Sequence, residues 1–162
     1  MENWYLEDAE QREDHAIPLT EGMDTPFAPV LRMWRDIRNR GRLPARADFP
    51  PEKLTGFLGK ILLIEVHETA PRFRFRLFGS DISQRFGRDL TGKGLEDLTA
   101  PLYREMVRRH YEEVVASGEP SLYEITGIRE MRRRRYQRLL LPLFDEQGRV
   151  NMLMAVSLPL SP

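Results

Sequence analysis

Cysteine is absent from the 162-residue chain. That excludes disulfide frameworks, thiolate zinc sites, cysteine nucleophiles, iron-sulfur clusters and any chromophore attached through a thiol. Long apolar runs are missing too: stretches such as Ile61 to Ile64 and Leu139 to Leu141 fall far short of the ~18 to 20 residues that a bilayer span needs. The opening Met1-Glu2-Asn3-Trp4-Tyr5-Leu6-Glu7-Asp8 has neither the basic segment nor the apolar stretch of a secretion signal. The expectation is a cytoplasmic protein with no membrane attachment. Net charge is also absent, with 25 Lys+Arg against 25 Asp+Glu. The length suits one domain, and such a chain buries roughly 68 to 70% of its unfolded surface without metal or disulfide staples.

The charge balance holds only on average. Residues 1–28 carry eight acids and one base, a net −7. Sparse apolar residues and one-signed charge predict an acidic, poorly ordered arm over residues 1–26. A sharper reading docks Trp4, Tyr5 and Leu6, flanked by acids, on a basic face of the same domain or of a partner.

Phe27, Val30, Leu31, Trp34 and Ile37 recur at helical spacing, with Pro29 suited to a first turn and Gly41 to the stop. Residues 27–48 therefore read as an amphipathic helix and a connector, and residues 49–160 as the main domain. Leu54, Phe57 and Leu58 give a short helix a buried side. Lys60 to His67 reads as a central strand, and Phe73, Phe75 and Leu77 alternate with arginines in a second strand. Ser80 or Asp81 can cap a short helix, with Gln84 completing a capping box. Thr99 can cap a long one, whose apolar side is Tyr103, Met106, Val107, His110, Tyr111, Val114 and Val115. Three strands follow, Ser121 to Ile128, Tyr136 to Phe144 and Val150 to Leu158, joined by short polar connectors at Glu130 to Arg135 and Asp145 to Gly148. Two strands, a helical crossover and a three-strand meander predict an α+β fold: a five-stranded antiparallel sheet with helices packed on one face, preceded by the additional N-terminal helix.

Arg74-Phe75-Arg76-Leu77-Phe78-Gly79-Ser80-Asp81-Ile82, Gly87-Arg88-Asp89-Leu90-Thr91-Gly92 and Tyr136-Gln137-Arg138-Leu139-Leu140-Leu141-Pro142-Leu143 make the chain resemble the PAS domain over residues 30–160, and more closely a family of small bacterial single-domain PAS-like proteins. The resemblance implies sheet order 2-1-5-4-3 and a sensory role without an established reaction. It also implies that the N-terminal helix can pair across a twofold axis, so Trp34 and Ile37 are candidates for a homodimer contact. A flavin photosensor of this fold depends on a cysteine, as does a hydroxycinnamoyl one, so both are excluded here. In some PAS sensors a histidine on the crossover helix ligates haem. His110 is in that position, but no other haem-pocket residue is identifiable, which argues against haem; a satisfied core histidine and a polar contact to another ligand are the remaining readings. The identity of any cofactor is left open.

A small molecule between helix face and sheet would meet Phe75, Leu77, Phe86, Tyr103, Val107, His110 and Tyr123, though the same side chains can simply fill the core. Gly87 to Lys93 has the spacing of a phosphate loop, but Gly94 stands where such loops need Ser or Thr, so the stretch reads as a glycine turn. His15, His67 and His110 match no metal spacing. Arg132, Arg133, Arg134 and Arg135, with Arg129 and Arg138, form the densest charge cluster, placed on a hairpin turn. A solvated connector paired with the acidic arm and a contact for an acidic protein partner are its readings. Zero net charge and the lack of a recognition helix argue against nucleic acid. No Ser/His/Asp set or carboxylate pair has supporting context, so no catalytic residue is named and no enzyme is expected. The expected role is a signalling module that binds a small ligand or a protein partner and passes its output on by protein-protein contact, with a ligand-free dimerisation scaffold as the alternative and a small-substrate enzyme behind both.

Overall fold

Both faces of the later strands carry apolar side chains, and the architecture follows from covering both. The computed structural model describes residues 3–160. Among them, six strands form one antiparallel sheet: β1 Gln11–Ile17, β2 Ile61–Val66, β3 Phe73–Phe78, β4 Ser121–Arg129, β5 Arg132–Phe144 and β6 Val150–Pro159, in the order β1-β4-β5-β6-β2-β3. The helices are α1 Ala28–Asn39, α2 Ser80–Phe86 and α3 Pro101–Ser117. The five strands after β1 keep the expected order. A sixth strand, β1, lies where composition predicted a loose arm, and it pairs with β4 from Gln11↔Ile128 to Ile17↔Leu122.

Successive residues of β5 serve opposite layers. Tyr136 and Leu140 join the core under α2 and α3, whereas Leu139, Leu141 and Leu143 join the core under α1. The domain helices α2 and α3 thus share one face, as expected, and the additional helix α1 covers the other. The apolar stripe of α1 is the reason: Phe27, Val30, Leu31, Trp34 and Ile37 are all buried against Leu63, Leu122, Leu141, Met154 and Val156 of the chain's own sheet. Trp34 donates its indole N–H to the Pro142 carbonyl at 2.8 Å. The contact assigned to a partner copy is therefore made within the chain. Pro142 lies beyond the last β4 pair, Ser121↔Leu140, where β5 has only β6 beside it, so the missing proline N–H breaks no inner ladder.

Several local expectations change. The β2–β3 register shifts between Leu63↔Leu77 and Ile64↔Phe75. This bulge turns Phe78 into the core and leaves Leu77 42% exposed. Residues 51–60 form two short 3-10 turns rather than a helix; Leu54 is buried but Leu58 is exposed. Neither Ser80 nor Asp81 caps α2. The cap position is Gly79, whose backbone passes so close to the Gly59 and Ile61 carbonyls that a Cβ would sit 2.5 and 2.7 Å from them. Nor does Thr99 cap α3, which starts at Ala100 and Pro101.

If Trp34 is a core residue, its substitutions should cost stability without changing the oligomeric state. Trp34→Phe should lose about 1 to 3 kcal/mol in urea unfolding, because it orphans a buried carbonyl. Trp34→Ala should lose about 3 to 5 kcal/mol. An altered sedimentation coefficient at unchanged stability would return the residue to a partner interface.

Candidate functional site

The central histidine of α3 ties together three strands, β1, β4 and β5. His110 lies on the inward stripe of the helix and is fully buried. Its ring stacks on Tyr123 of β4, with centroids 3.7 Å apart and planes 11° from parallel. Nδ1 receives an N–H from Arg138 of β5, and Nε2 lies 2.7 Å from the Asp14 carboxylate of β1. Arg138 can only donate, so Nδ1 must be the acceptor and Nε2–H must donate to Asp14. The imidazole is therefore neutral. Burial and the adjacent Arg138 cation push its pKa from 6.5 down to about 3, against the opposing pull of Asp14. Burial alone would raise the Asp14 carboxyl, but hydrogen bonds from His110 and from Arg109, at 2.8 Å, hold it below its ordinary value. Both ring nitrogens are engaged, so neither is presented to a metal. Among the described residues no cluster of three or more His, Asp or Glu has metal-binding geometry.

Beside this network, between α2–α3 and the sheet, lies a cavity of about 30 Å³. Of the sequence-derived candidates, Phe75, Phe86, Tyr103 and Val107 line it. Leu77 is outside, swung to solvent by the bulge. His110 and Tyr123 are one residue removed from the wall, behind Arg138. Sequence reasoning missed Tyr5, Tyr111, Tyr136, Arg138 and Ser157, all of which line the cavity. Arg138 is 3% exposed, and no described carboxylate forms an ion pair with it. Its Nε and the Tyr136 hydroxyl are both buried and both lack a protein partner. Burial pushes the Tyr111 phenol up to about 12 and that of Tyr103 well above its ordinary range, so these two phenols stay neutral and Arg138 is the charged group in the wall. A period-two reading back from Leu140 could have found Arg138 and Tyr136, which share its face of β5.

The N-terminal segment closes this region. Tyr5 packs edge-on against Tyr136 with centroids 4.9 Å apart and also contacts Phe86. Trp4 lies beneath the guanidinium groups of Arg85 and Arg134, 5.2 and 5.6 Å from its ring. Glu7 pairs with Arg88 at 2.8 Å and Asp8 with Arg129 at 3.2 Å. The arginine cluster itself is not a turn. The turn is Glu130-Met131, both at positive φ, and Arg132 already opens β5. Arg135 pairs with Glu124 of β4 at 3.4 Å, and Arg132 lies 3.6 Å from Glu130. The glycine loop after α2 spends its amides on β3: Gly92 donates to the Phe75 carbonyl, and Phe75 donates to the Lys93 carbonyl.

The neutral His110 makes stability depend on pH. Between about pH 6.5 and 3 the unfolded histidine binds a proton that the folded one refuses, so stability is full above 6.5 and falls as the pH drops through that window. A single proton sets a limiting slope of ~1.4 kcal/mol per pH unit. Urea unfolding at pH 7.5, 6 and 5 should show this loss. His110→Gln should be less stable at pH 7.5 yet flatter across the series. Equal slopes in the two proteins would mean that folding leaves the His110 pKa unchanged.

The geometry sits in a fold with known relatives. A family profile described as PAS domain matches residues 24–157. The PAS domain of BvgS from Bordetella pertussis is similar at 18% identity, covering 67% of this chain and 82% of that one, with a TM-score of 0.54. An RNA-binding light-oxygen-voltage receptor is similar at 15% identity, covering 92% of this chain, with a TM-score of 0.52; this chain spans only 39% of that receptor's length. At these identities the two structures speak for the fold alone. No curated protein matches the sequence. With the profile covering most of its length and the sheet order in agreement, the chain belongs to the PAS domain family.

Proposed function

We propose that the chain is a cytoplasmic, non-catalytic sensory module that takes a small molecule into the cavity between α2–α3 and the sheet, and reports it by moving its N-terminal segment toward or away from a protein partner. PAS domains are, as a family, modules of signal sensing. The observation that carries the reading is the cavity wall: aromatic rings surround two buried polar groups with no protein partner, the Arg138 Nε and the Tyr136 hydroxyl. Buried polar groups are otherwise satisfied in native proteins, so such groups mark places where something else binds.

The moving element in this reading is the stretch of residues 4–8, not α1. The helix α1, with Phe27 at its cap, is locked by five buried side chains and the Trp34 hydrogen bond. Residues 4–8 instead rest on two buried side chains, Tyr5 and Leu6, and on ion pairs at the surface, each worth about 0 to 1 kcal/mol, while β1 behind them stays paired to β4. A ligand that prefers the segment displaced shifts the population by its difference in affinity for the two states. Displacement would free Arg88 and Arg129 from Glu7 and Asp8 and offer them, beside Arg132 and Arg133, to an acidic protein partner. Self-association, if it serves output, uses a surface other than the buried stripe of Trp34 and Ile37.

The small size of the cavity favours a second reading, a ligand-free interaction module whose core is simply full. Native beside denaturing mass spectrometry of the purified chain separates the two, with a second sample incubated with the small-molecule fraction of a cell extract and desalted. A small-molecule adduct lost on denaturation is expected. Bare protein in both samples would favour the ligand-free module.

A further inference from the structure

Resting on that sensory reading, we infer that the interior cavity is a site for a small aromatic monocarboxylate, and that the chain's own Tyr5 ring holds its place. The argument starts with charge. The Arg138 guanidinium is buried, and its side-chain partner is a histidine that its own field keeps neutral. The nearest compensating carboxylate in the network, Asp14, is reached only across the imidazole and is already shared with Arg109. A buried cation without a directly paired anion is costly. A monoanion placed in the cavity would remove that cost, accepting from Arg138 Nε on one oxygen and from the Tyr136 hydroxyl on another. A guanidinium N–H to a carboxylate oxygen is a charge-assisted hydrogen bond, about twice as strong as a neutral one.

Shape selects the rest of the ligand. Phe75, Phe78, Phe86, Tyr103 and Tyr111 wall the space with rings. Tyr5, entering from the N-terminal segment, already sets a six-membered ring there, edge-on to Tyr136. The remaining ~30 Å³ takes one or two waters or a head group of carboxylate size. Ring plus head group is the outline of an arylcarboxylate. It can enter fully only when Tyr5 leaves, which couples occupancy to its chain neighbours Trp4, Glu7 and Asp8 and to the arginines that they meet. The site then reports binding without any change in α1 or the sheet.

The test uses the full chain and its Tyr5→Ala variant, with benzoate as the anionic probe and benzamide as its neutral isostere, measured by isothermal titration calorimetry. Benzoate should bind Tyr5→Ala about tenfold or more tighter than the wild type. It should also outbind benzamide on Tyr5→Ala by about ten- to a hundredfold, the range that a charge-assisted hydrogen bond supplies. Arg138→Gln in the Tyr5→Ala background should abolish that preference. Tyr136→Phe, a milder change, should reduce it if the arginine variant does not fold. Equal binding of benzoate and benzamide would overturn the anionic assignment while leaving the cavity a ligand site. Equal benzoate affinity in wild type and Tyr5→Ala would overturn the role of Tyr5. Binding of neither probe to either protein would overturn the inference outright, the cavity then holding water only, and the sensory reading would stand or fall separately on the mass spectrometry.

Discussion

The buried guanidinium of Arg138 is the constraint around which the rest of the α3 face is arranged. A cation taken out of water needs acceptors, and no β5 side chain accepts from this one. The fold supplies His110 from α3 instead, and the donor-only character of arginine fixes which imidazole nitrogen carries the proton. That choice turns Nε2–H outward toward β1, where Asp14 accepts it. One arginine thus sets the tautomer of a histidine 28 residues away and, through it, a binding point for a strand from the other end of the chain. Arg109 reinforces the same carboxylate from the solvent side, so the edge strand is held by polar contacts whose geometry is set inside the core.

This arrangement explains why β1 exists at all. Its inward residues include Arg12 and Asp14, not a stripe of large apolar side chains, and little hydrophobic burial holds it. Arg12 lies over the Tyr103 ring at 4.9 Å and donates to the Leu6 carbonyl, while β1 gives β4 a paired neighbour along seven residues. An unpaired β4 would present an open row of amides and carbonyls, which proteins commonly cover. The opposite face of the sheet is held in a different way, by the conventional apolar stripe of α1 over Leu63, Leu139, Leu141 and Met154. One sheet therefore carries a rigid apolar lid on one side and, on the other, a partly polar closure with a small cavity behind it.

The sequence makes the apolar half of this structure legible and hides the polar half. The stripe of α3, the α1 helix and the later strands follow from periodicity, because burial of regular apolar positions is what forms them; their order in the sheet follows from the family resemblance instead. β1 has no such signature, since its inward positions are charged and its partners lie 95 and 96 residues away in α3. The arginine run conceals a strand for the same reason: Arg132 to Arg135 alternate between faces, but identical side chains show no alternation. The turn before them uses Glu130 and Met131 at positive φ, where Asn and Gly are the usual signal. Leu77 followed the alternation until a bulge, invisible in one sequence, shifted it outward. Of the cavity wall, Phe75, Phe86, Tyr103 and Val107 are legible from their faces; Arg138 and Tyr136 are not, because Arg138 reads with its exposed arginine neighbours and Tyr136 adjoins the same run.

The two closures differ in how easily they open, and that difference gives the fold a direction. Removing α1 exposes five buried apolar side chains, each worth roughly 1.5 to 3 kcal/mol, a sum comparable with the whole stability of an ordinary domain. Lifting residues 4–8 exposes Tyr5 and Leu6 and breaks ion pairs that water largely replaces. Local opening therefore belongs to the N-terminal segment, the element whose tyrosine occupies the space next to Arg138. Opening there leaves the sheet, α1 and α3 intact, so the cavity can gain or lose an occupant at a cost well below that of unfolding. A pocket with a buried cation and an easily lifted aromatic side chain is thus placed where the fold is weakest, and the rigid α1 face keeps its frame constant while that happens.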